Sequence, residues 1–229
     1  KETLEPSPYV LVRKNLEGYC DVDKHFTPEY NPWDQRLCLI PDGDLYKALR
    51  NGKAEVVTDE IEQFCESGIT LKSGKVLESD IIVTATGLNL KLLGGISLGL
   101  DGKPISIPEC YSYKGLMFSG IPNLVYSLGY INASWTLRSE ITAEFVCRVL
   151  NHMKTLNTGR VVANFNPDDV SSEDSAFIGD FNPGYITRSA HLMAKQSTKD
   201  PWRFNQNYSL DKKLIRNGEL EDGFLTFSN

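Results

Sequence analysis

The spacing of apolar and polar residues changes several times along the chain, and each change predicts an element. Over 134–153, Leu137, Ile141, Phe145 and Leu150 recur near one face of a helix, with Val146 and Val149 beside them. Ser134 stands where an N-cap belongs. A shorter helix is predicted over 43–50 in DGDLYKALRNG, with Asp42 or Asp44 as its cap and Gly52 at its end. The Val- and Ile-rich run AEVVTDEIEQF (54–64) predicts a strand. ESGITLKSGKVLESD (66–80) predicts a hairpin: Ile69 and Leu71 alternate with polar residues, Ser73-Gly74 turns, and Val76 and Leu77 return. The continuous apolar run DIIVTATGL (80–88) predicts a strand buried on both faces, and GIPNLVYSLGY (120–130) predicts another. VVANF (161–165) reads as a short strand.

Between these runs the pattern weakens. Residues 1–30 are polar and broken by Pro6, Pro8 and Pro28. Residues 91–115 hold five glycines and two prolines and read as loop and crossover. From Asn166 onward, Asp, Ser, Asn and Pro dominate, so an irregular tail is expected. No internal repeat is visible. The order is helix, three-stranded meander, crossover, strand, long helix and tail, which predicts a mixed α/β fold.

Composition narrows the function classes. The chain has 229 residues, 41% of them hydrophobic, enough for one large domain or two small ones. A net charge of −6 argues against a nucleic-acid footprint, which needs a basic patch. The five cysteines, Cys20, Cys38, Cys65, Cys110 and Cys147, form no C-x-x-C pair and read as free thiols of a reducing, cytoplasmic compartment. His25, His152 and His191 are scattered, so no zinc site is expected. No run of ~20 apolar residues spans a membrane, and no basic amphipathic helix argues for membrane association. The first residues do not read as a signal peptide. An initiating Met is missing, which leads to the expectation of a longer protein. The N-x-S triplets at Asn132 and Asn207 read as coincidence.

Four strings carry a family resemblance. SDIIVTATGL, with the hairpin before it, resembles the strand and Ala-Thr-Gly turn by which the NADPH domain of two-dinucleotide flavoproteins returns the chain to the FAD domain. YNPWDQRLCLIPDGDLYKALRNGKAEVV (30–57) is similar to a segment of the Baeyer–Villiger monooxygenases, within the class B flavin-containing monooxygenases. It looks most like their ethionamide-activating group, as do SGIPNLVYSLGYINASWTLRSE and PWRFNQNY. The resemblance implies a partial two-dinucleotide-binding-domain flavoprotein. Residues 1–87 would be the C-terminal part of the NADPH-binding domain with its β-meander. Residues 88–160 would be the FAD-domain return strand and long helix, and 161–229 an irregular C-terminal segment.

The implied activity is an FAD- and NADPH-dependent monooxygenase that inserts one oxygen from O2 into ketones or sulfur compounds through a flavin C4a-peroxide. By match to the family motif, Arg36 is the catalytic arginine beside that peroxide; a permanently charged planar guanidinium suits the task. A surface arginine paired with Asp34 or Glu29 is the bland alternative. Gln35, where the wider family has Lys, would face the nicotinamide, and it puts strict Baeyer–Villiger preference in doubt. Asn132, Ala133 and Ser134 precede the long helix, whose free N–H groups and positive dipole end could hold the anionic flavin edge; plain helix capping is the alternative. Trp135 is expected on the flavin, on the substrate or in the core. Thr86 and Gly87 would lie at the interdomain crossing, Gly87 with a positive φ or a close backbone approach. Trp202 would belong to a mobile loop over NADP, or else anchor the tail to the core.

Two further readings stay open: an S- or N-oxygenating flavin monooxygenase, and a non-catalytic piece unable to bind FAD alone. The last rests on the absence of any G-x-G-x-x-G turn to cradle a pyrophosphate. The expected partners are a small-molecule substrate, O2 and the missing N-terminal half.

Overall fold

The polar N-terminal stretch holds two helices that hydrophobic periodicity does not reveal, α1 (Pro8–Leu16) and α2 (Val22–Phe26). Pro8 opens α1, where its missing N–H costs nothing because no intrahelical acceptor awaits it. Asp21 caps α2, its carboxylate accepting from the Lys24 amide at 3.1 Å. The structure, a computed structural model, describes residues 8–30, 40–131, 133–169 and 183–229. The chain divides into two units, Lys1–Gly87 and Leu88–Asn229.

In the first unit, α3 (Asp44–Arg50) lies where the sequence predicts a helix. Its N-cap is Gly43, with no side-chain capping bond, rather than Asp42 or Asp44. Asp44 instead sits in the first turn, where a negative charge meets the positive end of the helix dipole. Arg50 ties α3 to α1 by donating to the backbone and side-chain oxygens of Asn15 at 3.1 and 3.2 Å.

The meander is antiparallel, in the order β1 (Ile61–Cys65), β2 (Gly68–Leu71), β3 (Val76–Glu78), with Ile69 opposite Leu77. Residues 54–60 stay outside it: the Lys72 amide still donates to the Glu60 carbonyl at 2.9 Å, but the ladder itself begins at Ile61 opposite Leu71. The run 80–88 corrects another expectation. It forms no strand, and Ile81 and Val83 are 81% and 84% exposed. Among the described residues no strand lies beside it to satisfy its backbone, and a strand exists only through such neighbours.

In the second unit, the stretch expected to be loop contains two small hairpins. β4 (Gly99–Leu100) pairs with β5 (Lys103–Pro104) across Asp101-Gly102, and β6 (Ser112–Tyr113) with β7 (Met117–Phe118) across Lys114-Gly115. All four of these turn residues have positive φ, the geometry that matches strand twist. Residues 120–130 make one bridge, Met117 to Val125, rather than a strand. Their apolar residues Ile121, Tyr126 and Tyr130 are nonetheless buried.

The long helix α4 (Trp135–Leu156) ends on Asn157 in the left-handed conformation, and the Thr158 amide bonds back to the Met153 carbonyl at 3.0 Å. Its buried face is Arg138, Ile141, Thr142, Phe145 and Val149, whereas Leu150 is exposed. Beyond it, β8 (Arg160–Ala163) pairs antiparallel with β9 (Leu225–Ser228). The segment expected to be irregular therefore folds back along the chain. It carries α5 (Gly184–Thr187), then α6 (Tyr208–Asp211), which widens into a π-turn over Lys212–Arg216. The core centres on Trp202, fully buried, with Tyr111, Tyr113, Phe165 and Phe224 meeting it edge-on. Burying large apolar side chains of this kind contributes roughly 1.5–3 kcal/mol each.

Candidate functional site

The junction before α4 joins a buried tyrosine to an exposed helix start. Tyr130 is fully buried, while Ala133 and Ser134 are exposed and Trp135 is 55% exposed. The chain thus rises from the core to the surface over five residues and then enters a 22-residue helix. Ser134 occupies the N-cap position with extended φ and ψ, yet makes no capping bond. Its hydroxyl pairs with that of Thr136 at 2.7 Å instead. The first-turn amides consequently keep no side-chain acceptor from the cap and face outward with the positive end of the dipole.

The Trp135 ring packs against Gly129. A Cβ on Gly129 would come within 2.0 Å of Trp135 Cγ, so only glycine admits the ring there. An exposed indole beside a helix start that Ser134 does not cap suits a planar, anionic group, as a reduced flavin is. The residues present therefore fit that cofactor.

Behind the junction lies a buried ionic cluster that hydrophobic patterning does not reveal. Arg138 is fully buried on the second turn of α4 and pairs with Asp211 on α6. Its second terminal nitrogen donates to the Lys114 carbonyl. Asp211 Oδ2 also accepts from the Tyr130 hydroxyl at 2.7 Å. The guanidinium sits 5.8 Å from the Tyr130 ring centre and 5.2 Å from that of Phe204. Burial pushes the Asp211 carboxyl above its ordinary range, against the pull of Arg138 and Tyr130. Burial, with Asp211 nearby, likewise raises the Tyr130 phenol. Removing one partner of such a pair is costly because the other charge stays buried.

An apolar cavity of about 260 Å³ also lies in the second unit, lined by Phe118, Leu124, Tyr126, Leu128, Met193 and Ala194 among others. Among the described residues that line it, Tyr126 is the titratable one. Burial pushes that phenol up to about 12, and its hydroxyl is 2.5 Å from Ser112 Oγ. The cavity offers shape and no reactive group.

The other expected site residues are scattered. Thr86 and Gly87 close the first unit; both are exposed, and Gly87 has φ 91°. Trp202 fills the aromatic core with no exposed surface, and its indole N–H has no hydrogen-bond partner among the described residues. This packing fits the anchoring alternative. Gln35, Arg36 and Asn132 lie outside the described residues. Among the described residues no cluster of His, Cys, Asp and Glu could hold a metal ion, and no helix is long and apolar enough to cross a membrane.

No protein-family model matches the chain. Individual proteins do. The "FAD-containing monooxygenase EthA" of Mycobacterium tuberculosis is 52% identical over 219 residues, covering 95% of this chain and 44% of that protein. The protein of the same name from Mycolicibacterium smegmatis is 49% identical over 94% of this chain and 43% of its own length. The "Probable FAD-binding monooxygenase AlmA" of an Acinetobacter species is 47% identical over 94% of this chain and 43% of its own length. The chain spans less than half the length of these relatives. The resemblance read from the sequence strings is thereby borne out: along 95% of its length this chain matches a portion of FAD-containing monooxygenases of the EthA kind.

Proposed function

We propose that this chain is the C-terminal portion of an FAD- and NADPH-dependent monooxygenase acting on ketones or sulfur compounds. The observation that carries the reading is the 52% identity to an FAD-containing monooxygenase over 95% of the chain. The open, uncapped start of α4 supports it independently, because it suits the anionic edge of a reduced flavin. On this reading the fold is a partial two-dinucleotide-binding-domain flavoprotein, and Thr86 and Gly87 sit at the domain crossing. The glycine-rich turns that grip the pyrophosphates come from the N-terminal half, since no G-x-G-x-x-G stands in this sequence.

When bound, the flavin reduced by NADPH supplies oxygen activation. The chain's own residues then have three tasks. The amides of the α4 first turn, with Asn132, Ala133 and Ser134, would hold the ring edge. Trp135 would cover the ring and exclude water. By the family match, the Arg36 guanidinium would supply fixed positive charge to the reaction, which is worth more in a water-poor site than in water. Gln35 lacks the positive charge of a lysine, and this favours a second reading in which sulfur or nitrogen, rather than a ketone, is oxygenated.

The test uses the full-length protein. It is expected to purify yellow, to oxidise NADPH in air and to oxygenate a ketone or a thioether. Arg36→Ala is expected to retain FAD and lose product formation by at least ~100-fold, the scale of losing one stabilising donor. A colourless full-length protein, or an Arg36→Ala variant that oxygenates at the parent rate, overturns the reading. This chain alone is expected to retain no FAD.

A further inference from the structure

One segment of the tail holds the α4 junction from both sides. Gln206 Oε1 accepts from the Ile131 amide at 2.9 Å, just before the exposed residues. Asp211 accepts from Tyr130 on the same side and from Arg138 on the far side. The Tyr208 ring meets Tyr130 edge-on at 6.4 Å, and Phe204 lies against the Arg138 guanidinium. Asn207 stiffens the segment by capping α6, its side chain accepting from the Leu210 amide at 3.0 Å. Between these anchored points, among the described residues, 133–136 are exposed.

We propose that residues 204–211 are the positioning element of the flavin-edge site, with Gln206 and Asp211 as its two positioning residues. The inference rests on the reading that the α4 junction holds the flavin. Neither side chain needs to touch the cofactor. Gln206 fixes where the backbone leaves the core, and Asp211, through Arg138 and Tyr130, fixes the direction in which α4 points its amides. Both constraints are needed, because a ring edge is held by amides only when position and direction are set together. The pairing of Asp211 with Arg138 also keeps a lone carboxylate from opposing the positive dipole end above it. The half-exposed Gln206 reaches across 75 residues of sequence to one backbone amide.

The test compares FAD affinity and apoprotein stability in the full-length protein, using deflavinated protein titrated with FAD and melted without it. Gln206→Met keeps the side-chain length and removes the acceptor. Tyr130→Phe removes only the hydroxyl that Asp211 receives. Each is expected to raise the FAD Kd about threefold to tenfold, the scale of one hydrogen bond. The apoprotein melting midpoint should shift by no more than ~3 °C. Ser134→Glu places a carboxylate at the junction itself and is expected to raise the FAD Kd at least ~10-fold, through charge repulsion and loss of the anion site. If Ser134→Glu leaves FAD affinity unchanged, the flavin-edge reading fails, and this inference fails with it. If Ser134→Glu weakens FAD while Gln206→Met and Tyr130→Phe leave the Kd at the parent value, the positioning role alone is overturned and the contacts are core packing.

Discussion

At the scale of single residues, Asp222 shows how tertiary partners define a side chain. Its Oδ2 accepts from the Tyr113 hydroxyl at 2.5 Å and from Lys114 Nζ at 2.8 Å, while Oδ1 accepts from the Phe224 and Leu225 amides at 3.1 and 3.3 Å. Burial by itself raises this carboxyl, but Lys114 and Tyr113 outweigh it, and the net shift is downward. A carboxylate with a depressed folded pKa contributes stability that is present above its ordinary value and is lost as pH falls through the folded value. Asp211, shifted upward, acts with the opposite sign, since it gains protons more readily when folded. The Asp222 contribution is therefore isolated by difference. Urea unfolding of parent and Asp222→Asn should show a stability gap at pH 7 that closes below about pH 4. A gap independent of pH would remove the ionic account. In the sequence Asp222 is one more polar residue before a glycine, because its partners stand 108 and 109 residues away.

At the scale of elements, the hairpins separate what is local from what is not. Ser73-Gly74 and Asp101-Gly102 are turns that chain chemistry alone can specify. The first was legible because alternating residues flank it. The second carries the same kind of signal, hidden among the glycines and prolines of 91–115. Lys114-Gly115 is different, since its glycine answers to packing as well as to φ. A Cβ on Gly115 would lie 2.3 Å from Phe204 Cδ2 and 2.7 Å from Arg138 Nη2, with φ at 64°. Gly115→Ala is expected to cost roughly 2–4 kcal/mol, combining backbone strain with overpacking against a buried ring and a buried cation. Thermal denaturation checks this, and an unchanged midpoint would mean that the hairpin shifts freely. Helix α4 has a corresponding duality. Ile141, Phe145 and Val149 bury as their spacing predicts, while Arg138 and Thr142 share that face, and no apolar pattern finds them.

At the scale of the whole molecule, the most informative surface is the apolar run that stands outside any sheet. Ile81, Val83 and Leu88 are 81%, 84% and 54% exposed, and in the sequence they flank residue 87, where the first unit ends. Contiguous exposed apolar segments with unpaired backbone promote association. Isolated, this chain is expected to aggregate or dimerise at high concentration. The double variant Ile81→Lys, Val83→Lys should shift it toward monomer in size-exclusion chromatography with light scattering. Its melting midpoint should stay within a few degrees, as exposed positions usually change stability by about 0.5 kcal/mol or less. Equal association by parent and variant would place the sticky surface elsewhere.

Elements with a local signal are legible in the amino-acid order: the α4 repeat, the meander turn, the α3 helix and the strings that match FAD-containing monooxygenases. That order also marks Asn132, Ala133 and Ser134 as the junction before the long helix, because a helix start is readable from cap and periodicity. Tertiary structure alone decided the rest. It placed Trp202 in the core, paired β8 with β9, left 80–88 unpaired and set Arg138 against Asp211. The physical reason is range. Helical spacing and turn chemistry act over a few residues, whereas strand pairing and buried charge depend on partners that only the folded chain brings near.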